Sequence, residues 1–253
     1  MSSDSRQRIV VCDCGQELSV PKETRGGVYP CPRCAEPVPL DEAHTAPAAP
    51  DAAWAQSIAA LDTLPASGNA LVRLQAASED PDIELHDIVL EAERDPVLAA
   101  VLLRTANSAA YGLPQQVDSV AMAAAMLGRE GIEAVATETS SGPSQPERLD
   151  RAHRCCESAA AIAQATGRAA LGPARTAGLL RELGIRVLAH VCPADYAGNE
   201  PTLRGAALAD AERRALGITH PEAGAMLAEH WRLPPVLCEA IRHSLSPEQA
   251  GEA

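Results

Sequence analysis

Four cysteines near the N-terminus, Cys12, Cys14, Cys31 and Cys34, form two close pairs separated by sixteen residues. Thiolates at this spacing suit a tetrahedral metal site. Each pair is a tight knuckle, Cys12-Asp13-Cys14-Gly15 and Cys31-Pro32-Arg33-Cys34, which would aim two sulfurs at one Zn2+ at about 2.3 Å, with the segment between them expected to form a β-hairpin. The first pair has one intervening residue where two is commoner, and Ala35 follows the second pair where glycine would relax the turn. A disulfide-bonded or simply reduced cluster is the alternative. The opening residues MSSDSRQR lack the apolar stretch of an export signal, so metal is preferred to bridges and the cytoplasm is the expected compartment. About forty residues with few large apolar side chains bury too little surface to fold alone, and structural zinc would supply on the order of 10 kcal/mol.

The other reactive residue types are dispersed. Cys155, Cys156, Cys192 and Cys238 lie within apolar helical patterns and read as small buried hydrophobes, with a redox role for the adjacent Cys155 and Cys156 as the alternative. His153, His190, His220 and His243 show no metal spacing. His220 stands in the first turn of a helix, where a local hydrogen bond is expected, and His243 is expected at the surface. Asn107 reads as an amide tying a helix to a loop in preference to a ligand contact. Trp54 and Trp231 read as packing anchors in preference to a binding cage. No glycine-rich phosphate loop, G-x-S-x-G elbow or H-E-x-x-H helix occurs.

These residues must be positioned by an unusual body. The 253-residue chain has no Phe, is 2 % aromatic, contains Lys22 as its sole lysine and carries a net charge of −13. Its core must be built from Leu, Val, Ile and Ala, which suits close helix packing and offers little surface for stacking bases. In residues 1–40, Arg6, Arg8, Lys22, Arg25 and Arg33 balance Asp4, Asp13, Glu17, Glu23 and Glu36. The whole negative excess therefore lies in the body, which would repel a phosphate backbone. No apolar run long enough to cross a membrane occurs.

Residues 41–53, rich in Ala and Pro, read as a linker. Helical periodicity then begins: Leu71, Leu74 and Gln75 open one run, and Leu85, Ile88, Val89 and Ala92 give the next. Asp95-Pro96 starts a third, with a capping aspartate and a proline in the first turn, expected to continue toward Tyr111-Gly112. Two short helices are expected on either side of Gly128. The Gly/Pro/Ser-rich segment 139–150 reads as an exposed loop between two helical halves, about 54–138 and 151–248. Thr219 and Glu222 form a capping-box pattern before another helix, and Pro234-Pro235 begins the last. No strand alternation is visible in the body.

The run Asp95-Pro96-Val97-Leu98 through Leu103-Arg104-Thr105-Ala106-Asn107-Ser108-Ala109-Ala110-Tyr111-Gly112, with Ser119-Val120 and Leu127-Gly128, resembles the HDOD domain, a bacterial signalling relative of HD phosphohydrolases. Three later segments resemble it too: Ala177-Gly178-Leu179-Leu180-Arg181-Glu182-Leu183-Gly184, Thr219-His220-Pro221-Glu222-Ala223-Gly224-Ala225-Met226-Leu227 and Trp231-Arg232-Leu233-Pro234. Together they span roughly residues 55–245. The resemblance implies an all-α fold, a two-part HD-like helical bundle, here over 54–248. Residues 1–40 separately resemble a small β zinc ribbon.

HD hydrolases hold a metal through a histidine, an adjacent His-Asp pair and a further aspartate. Here the aligned pair is Arg181-Glu182, and His243-Ser244 stands where the family often has two histidines. A guanidinium repels a cation instead of ligating it. The resemblance therefore implies no catalytic residues and a non-enzymatic signal-transduction role, with the body acting on a signalling protein partner or a small ligand and the ribbon serving as interaction module. Two rivals remain: a residual metal-dependent phosphohydrolase or cyclic-dinucleotide phosphodiesterase, and a nucleic-acid binder using the ribbon's basic residues.

Overall fold

The computed structural model describes residues 7–11, 17–21, 28–34, 37–39, 52–109, 116–193, 196 and 203–249. The chain divides into two units, Met1–Ala49 and Pro50–Ala253.

In the first unit, β1 (Gln7–Val11) pairs antiparallel with β2 (Glu17–Pro21), and β3 (Val28–Pro30) with β4 (Pro37–Pro39). The expected hairpin between the two cysteine pairs is therefore replaced by two hairpins, because strands pair across each knuckle: Val11 opposes Glu17 and Pro30 opposes Pro37. Cys31 and Cys34 sit in the turn joining β3 to β4. Cys12 and Cys14 fall between β1 and β2 in the sequence and lie outside the described residues.

The second unit begins with α1 (Ala52–Ala59), so residues 52 and 53, read above as linker, are helical. Next come α2 (Gly68–Glu79), α3 (Leu85–Ala92) and α4 (Pro96–Ala106). Asp95 caps α4 as expected, accepting from Val97 N at 2.7 Å. Its second oxygen accepts from Ser67 N at 2.8 Å, so one fully buried carboxylate also pins the chain entering α2. Helix α4 stops at Ala106, short of the expected Tyr111-Gly112, and residues 110–115 lie outside the described part.

The stretch α5 (Val120–Glu138) consists of two helical segments that meet at Gly128, as expected. Gly128 is its non-helical residue, at φ 65 and ψ −179, a backbone state reserved for glycine. The kink it makes throws Arg129 back across the end of α2. The Arg129 guanidinium donates to the carbonyls of Ala77 (3.1 Å), Ser78 (3.0 Å) and Asp80 (2.6 Å), and also to that of Ile83. One cation thus satisfies acceptors that the helix end leaves unpaired. Arg129→Met keeps the stem but strands these oxygens. We expect a loss of about 3 kcal/mol, read from the urea midpoint.

Residues 139–150 are not wholly loop. Ser141–Gly142 (β6) pairs in parallel with Ala66–Ser67 (β5), and helix α6 (Pro146–Thr166) starts five residues before the expected second half. The two halves do not have separate cores: one buried cluster runs from Ile58 to Ile241 and draws on both. The remaining described α-helices are α7 (Leu171–Leu180), α8 (Leu183–Val191), α9 (Gly205–Leu216), α10 (His220–His230) and α11 (Pro235–Arg242). At the start of α10 the Glu222 carboxylate accepts from both Thr219 N and Thr219 Oγ1 at 2.9 Å, and Arg213 braces it at 2.5 Å. Among the described residues no helix is long and apolar enough to cross a membrane.

Helices α8 and α10 meet backbone to backbone. A Cβ on Gly184 would fall 1.7 Å from the His220 carbonyl oxygen and 2.7 Å from Gly224 N, so only hydrogen fits there. This contact fixes the turn between α7 and α8, where Arg181 and Glu182 stand.

Candidate functional site

Arg181 closes α7, its amide donating to Ala177 O at 3.2 Å, and Glu182 leads into α8. Successive residues at this turn point to different surroundings. Glu182 is turned inward, 5 % exposed, with Oε2 3.8 Å from Arg151 Nη1 on α6. Arg148 and Arg186 flank it around a void of about 10 Å³. Arg186 is itself buried and donates to Pro65 O at 2.9 Å and Pro143 O at 3.5 Å.

The Glu182 carboxylate is thus approached by the Arg151 guanidinium, with Arg148 and Arg186 beside the same void. A divalent ion placed there would meet like charge, worth roughly 4 kcal/mol per unit-charge pair at about 4 Å in a partly screened site. Among the described residues no group of three His, Cys, Asp or Glu side chains gathers as potential ligands.

Arg181 turns the other way, into a cleft of about 630 Å³ between α6, α7 and α11. Its Nη1 lies 3.5 Å from Cys155 Sγ. Ala159, Ile162 and Ala163 of α6, Ala174 and Ala177 of α7 and Ala240 of α11 make the walls apolar, with Arg168 and Ser244 as further polar lining. None of the described lining residues is aromatic.

The histidines stay apart, but His220 is not an isolated capping residue. It is buried, and its Nδ1 lies 2.7 Å from Glu212 Oε2, which also accepts from His220 N at 2.7 Å. Glu212, fully buried, accepts from Tyr196 Oη at 2.8 Å through its other oxygen. Burial first, and then the Glu212 charge, raise the Tyr196 phenol well above its ordinary range and keep it a donor. The partner for His220 comes from α9, across the Gly217 turn, and sequence spacing carried no sign of it. His153 and His190 are exposed, while His243 lies 3.2 Å from Glu239 with its side chain 19 % exposed.

Asn107 matches its expected role. It donates to Leu103 O (2.9 Å) and Val117 O (2.8 Å) and accepts from Val117 N (2.7 Å), tying the end of α4 to the chain before α5. Trp231 is buried and donates to Leu61 O at 2.9 Å, and Trp54 donates to Leu216 O at 2.9 Å. Both act as anchors, with their indole N–H groups satisfied.

A second charge network was not legible in the sequence: half-buried Arg175 on α7 bridges buried Glu93 at 2.5 Å and exposed Glu157 at 2.9 Å. It lies beside Cys156. Burial, followed by the charge of Glu93, pushes that thiol up to about 12, and burial followed by Glu229 pushes Cys238 up to about 11. At about pH 8 iodoacetamide should therefore label half-buried Cys155 in the native protein and spare Cys156 and Cys238 until unfolding, as peptide mapping would show. Early labelling of Cys156 would reinstate the pair as a redox candidate.

In the first unit, Cys31 is 2 % exposed and Cys34 is exposed. Arg33 N donates to Cys31 Sγ at 3.4 Å. An amide aimed at sulfur favours the thiolate that a zinc knuckle requires, so this half of the four-cysteine set fits Zn2+.

Residues 64–247 match the HDOD domain family. A protein of Treponema pallidum (strain Nichols), named only as uncharacterized, is 29 % identical over 210 residues; the match covers 75 % of this chain but only 40 % of that relative. The crystal structure of the MmoQ response regulator from Methylococcus capsulatus str. Bath superposes with a TM-score of 0.61 at 24 % identity, over 72 % of this chain and 76 % of that one. A virulence factor from Campylobacter jejuni gives 0.59 at 20 % identity, over 79 % and 76 %. These two likenesses are of fold.

Proposed function

The chain belongs to the HDOD domain family, and from that premise we propose that it is a non-enzymatic bacterial regulatory protein whose helical body works by recognition within signal transduction. The observation that carries this reading is the Arg181-Glu182 turn. One residue of the pair puts a guanidinium into a largely apolar cleft, and the other has Arg151 3.8 Å away, beyond hydrogen-bond distance. This arrangement favours binding an anionic or protein partner over seating a cation that activates water. The response-regulator description of the structurally similar Methylococcus protein is compatible with a signalling setting.

The N-terminal unit is proposed to hold structural Zn2+ through Cys12, Cys14, Cys31 and Cys34 and to serve as a docking module. Two hairpins, each with one cysteine pair between its strands in the sequence, and the hydrogen bond that the Arg33 amide donates to Cys31 Sγ support it. The balanced charge of residues 1–40 and the acidic remainder disfavour nucleic acid as its target. The proposed setting is the cytoplasm.

Elemental analysis and phosphodiesterase assays on the full chain test the proposal. The expected result is one zinc per chain, lost when the four cysteines become serine, and no turnover of cyclic dinucleotides with Mg2+ or Mn2+. A dinuclear centre dependent on Glu182, or steady hydrolysis, would overturn it.

A further inference from the structure

The cleft between α6, α7 and α11 contains two buried polar atoms without a hydrogen-bond partner among the described residues, Arg181 Nε and Ser244 Oγ. Both belong to cleft-lining residues, one at the end of α7 and the other in the turn after α11. Buried polar atoms are paired in most folded proteins, so an unpaired guanidinium N–H and an unpaired hydroxyl just beneath the surface of one cleft leave hydrogen-bonding capacity that a small shift of either side chain would offer to a group from outside the chain. Among the described residues the hydrogen bond of the Arg181 head group goes to Cys155 Sγ at 3.5 Å, a weak acceptor, with no carboxylate paired to it. That is notable in a chain whose net charge is −13.

The rest of the cleft says what the acceptor must be attached to. The walls are mostly alanine with Ile162, which is 63 % exposed along one side, while Ser158, Thr166 and Arg168 add polar groups. The volume of about 630 Å³ lies within the range of small-molecule sites. With no aromatic lining it offers no platform for a nucleobase.

We propose that this cleft binds a small amphipathic oxyanion, an aliphatic carboxylate or phosphate monoester, with the head group on Arg181 and Ser244 and the tail along Ile162 and the alanines. The inference rests on the recognition reading above and gives the body a ligand class.

Calorimetric titration of the full chain with octanoate, octyl phosphate and 1-octanol tests it. Saturable binding of at least one of the two anions is expected, with 1-octanol at least about tenfold weaker; the better head group separates a carboxylate from a phosphate source. Arg181→Met should weaken binding at least about tenfold. Ile162→Asp, at an exposed position that leaves the core intact, should weaken it comparably by placing negative charge on the apolar wall. The proposal is overturned if neither anion saturates, if 1-octanol binds as well, or if binding survives both substitutions. A chain that fails to bind these probes yet hydrolyses nothing loses this inference alone; one that turns over phosphodiesters loses the recognition reading.

Discussion

Gly184→Ala is expected to destabilise the helical body by about 4 kcal/mol or more and to leave most of it unfolded at modest urea concentrations. The added carbon would stand 1.7 Å from the His220 carbonyl oxygen, less than half a normal contact distance. Neither partner can yield locally, because both are backbone. Helices α8 and α10 would have to separate, and α8 carries Leu183, Ile185, Val187 and Leu188 in the shared core, opposite Leu227 and Ala228 of α10. Overpacking usually costs about 1–3 kcal/mol where side chains can move, and a larger value is diagnostic of rigid surroundings. Gly128→Ala provides the contrast. Nothing lies within 4 Å of a Cβ there, so only the strain of φ +65 remains, worth roughly 1–3 kcal/mol. Urea denaturation of the two variants should rank Gly184→Ala as clearly worse; equal midpoints would mean that α8 and α10 slide apart more easily than their backbone contact implies.

Stripping metal from the N-terminal unit is the second large effect. Among its described residues the buried hydrophobic side chains are Leu18, Cys31 and Val38. Burying Leu18 and Val38 contributes about 5 kcal/mol at most. Ordering the chain costs roughly 1 kcal/mol or more per residue, so the deficit over some thirty residues is large. Zinc bound by four thiolates would supply on the order of 10 kcal/mol. Treatment with a strong chelator, or Cys31→Ser, should expose residues 7–39 to limited proteolysis while the melting of the body is unchanged, since the buried cluster of the body is built from residues 58–241. Resistance of that segment in metal-free protein would count against the proposed site.

How much was legible follows from how local each signal is. Asp95-Pro96 announced the start of α4 because a cap and a proline act within one turn. Thr219 and Glu222 announced α10 for the same reason, and Asn107 was read correctly because its acceptors lie four and ten residues away. Gly128 was recognised as the break between two helical segments because a glycine alone opens the backbone state that separates them. The loop 139–150 was misread in part because its parallel partner, Ala66–Ser67, is far away in sequence.

At the candidate site the sequence singled out the Arg181-Glu182 pair through the family resemblance, which implies a permanent cation where hydrolytic relatives have a metal-ligating residue type. Residue identity suffices for that inference because a guanidinium keeps its charge in any surroundings. Tertiary structure decided where each charge goes: Glu182 toward Arg151, Arg181 into an apolar cleft, Arg175 between Glu93 and Glu157, and His220 against Glu212. Burial and distance set the energy of such pairs, and neither exists until helices distant along the chain have closed on one core.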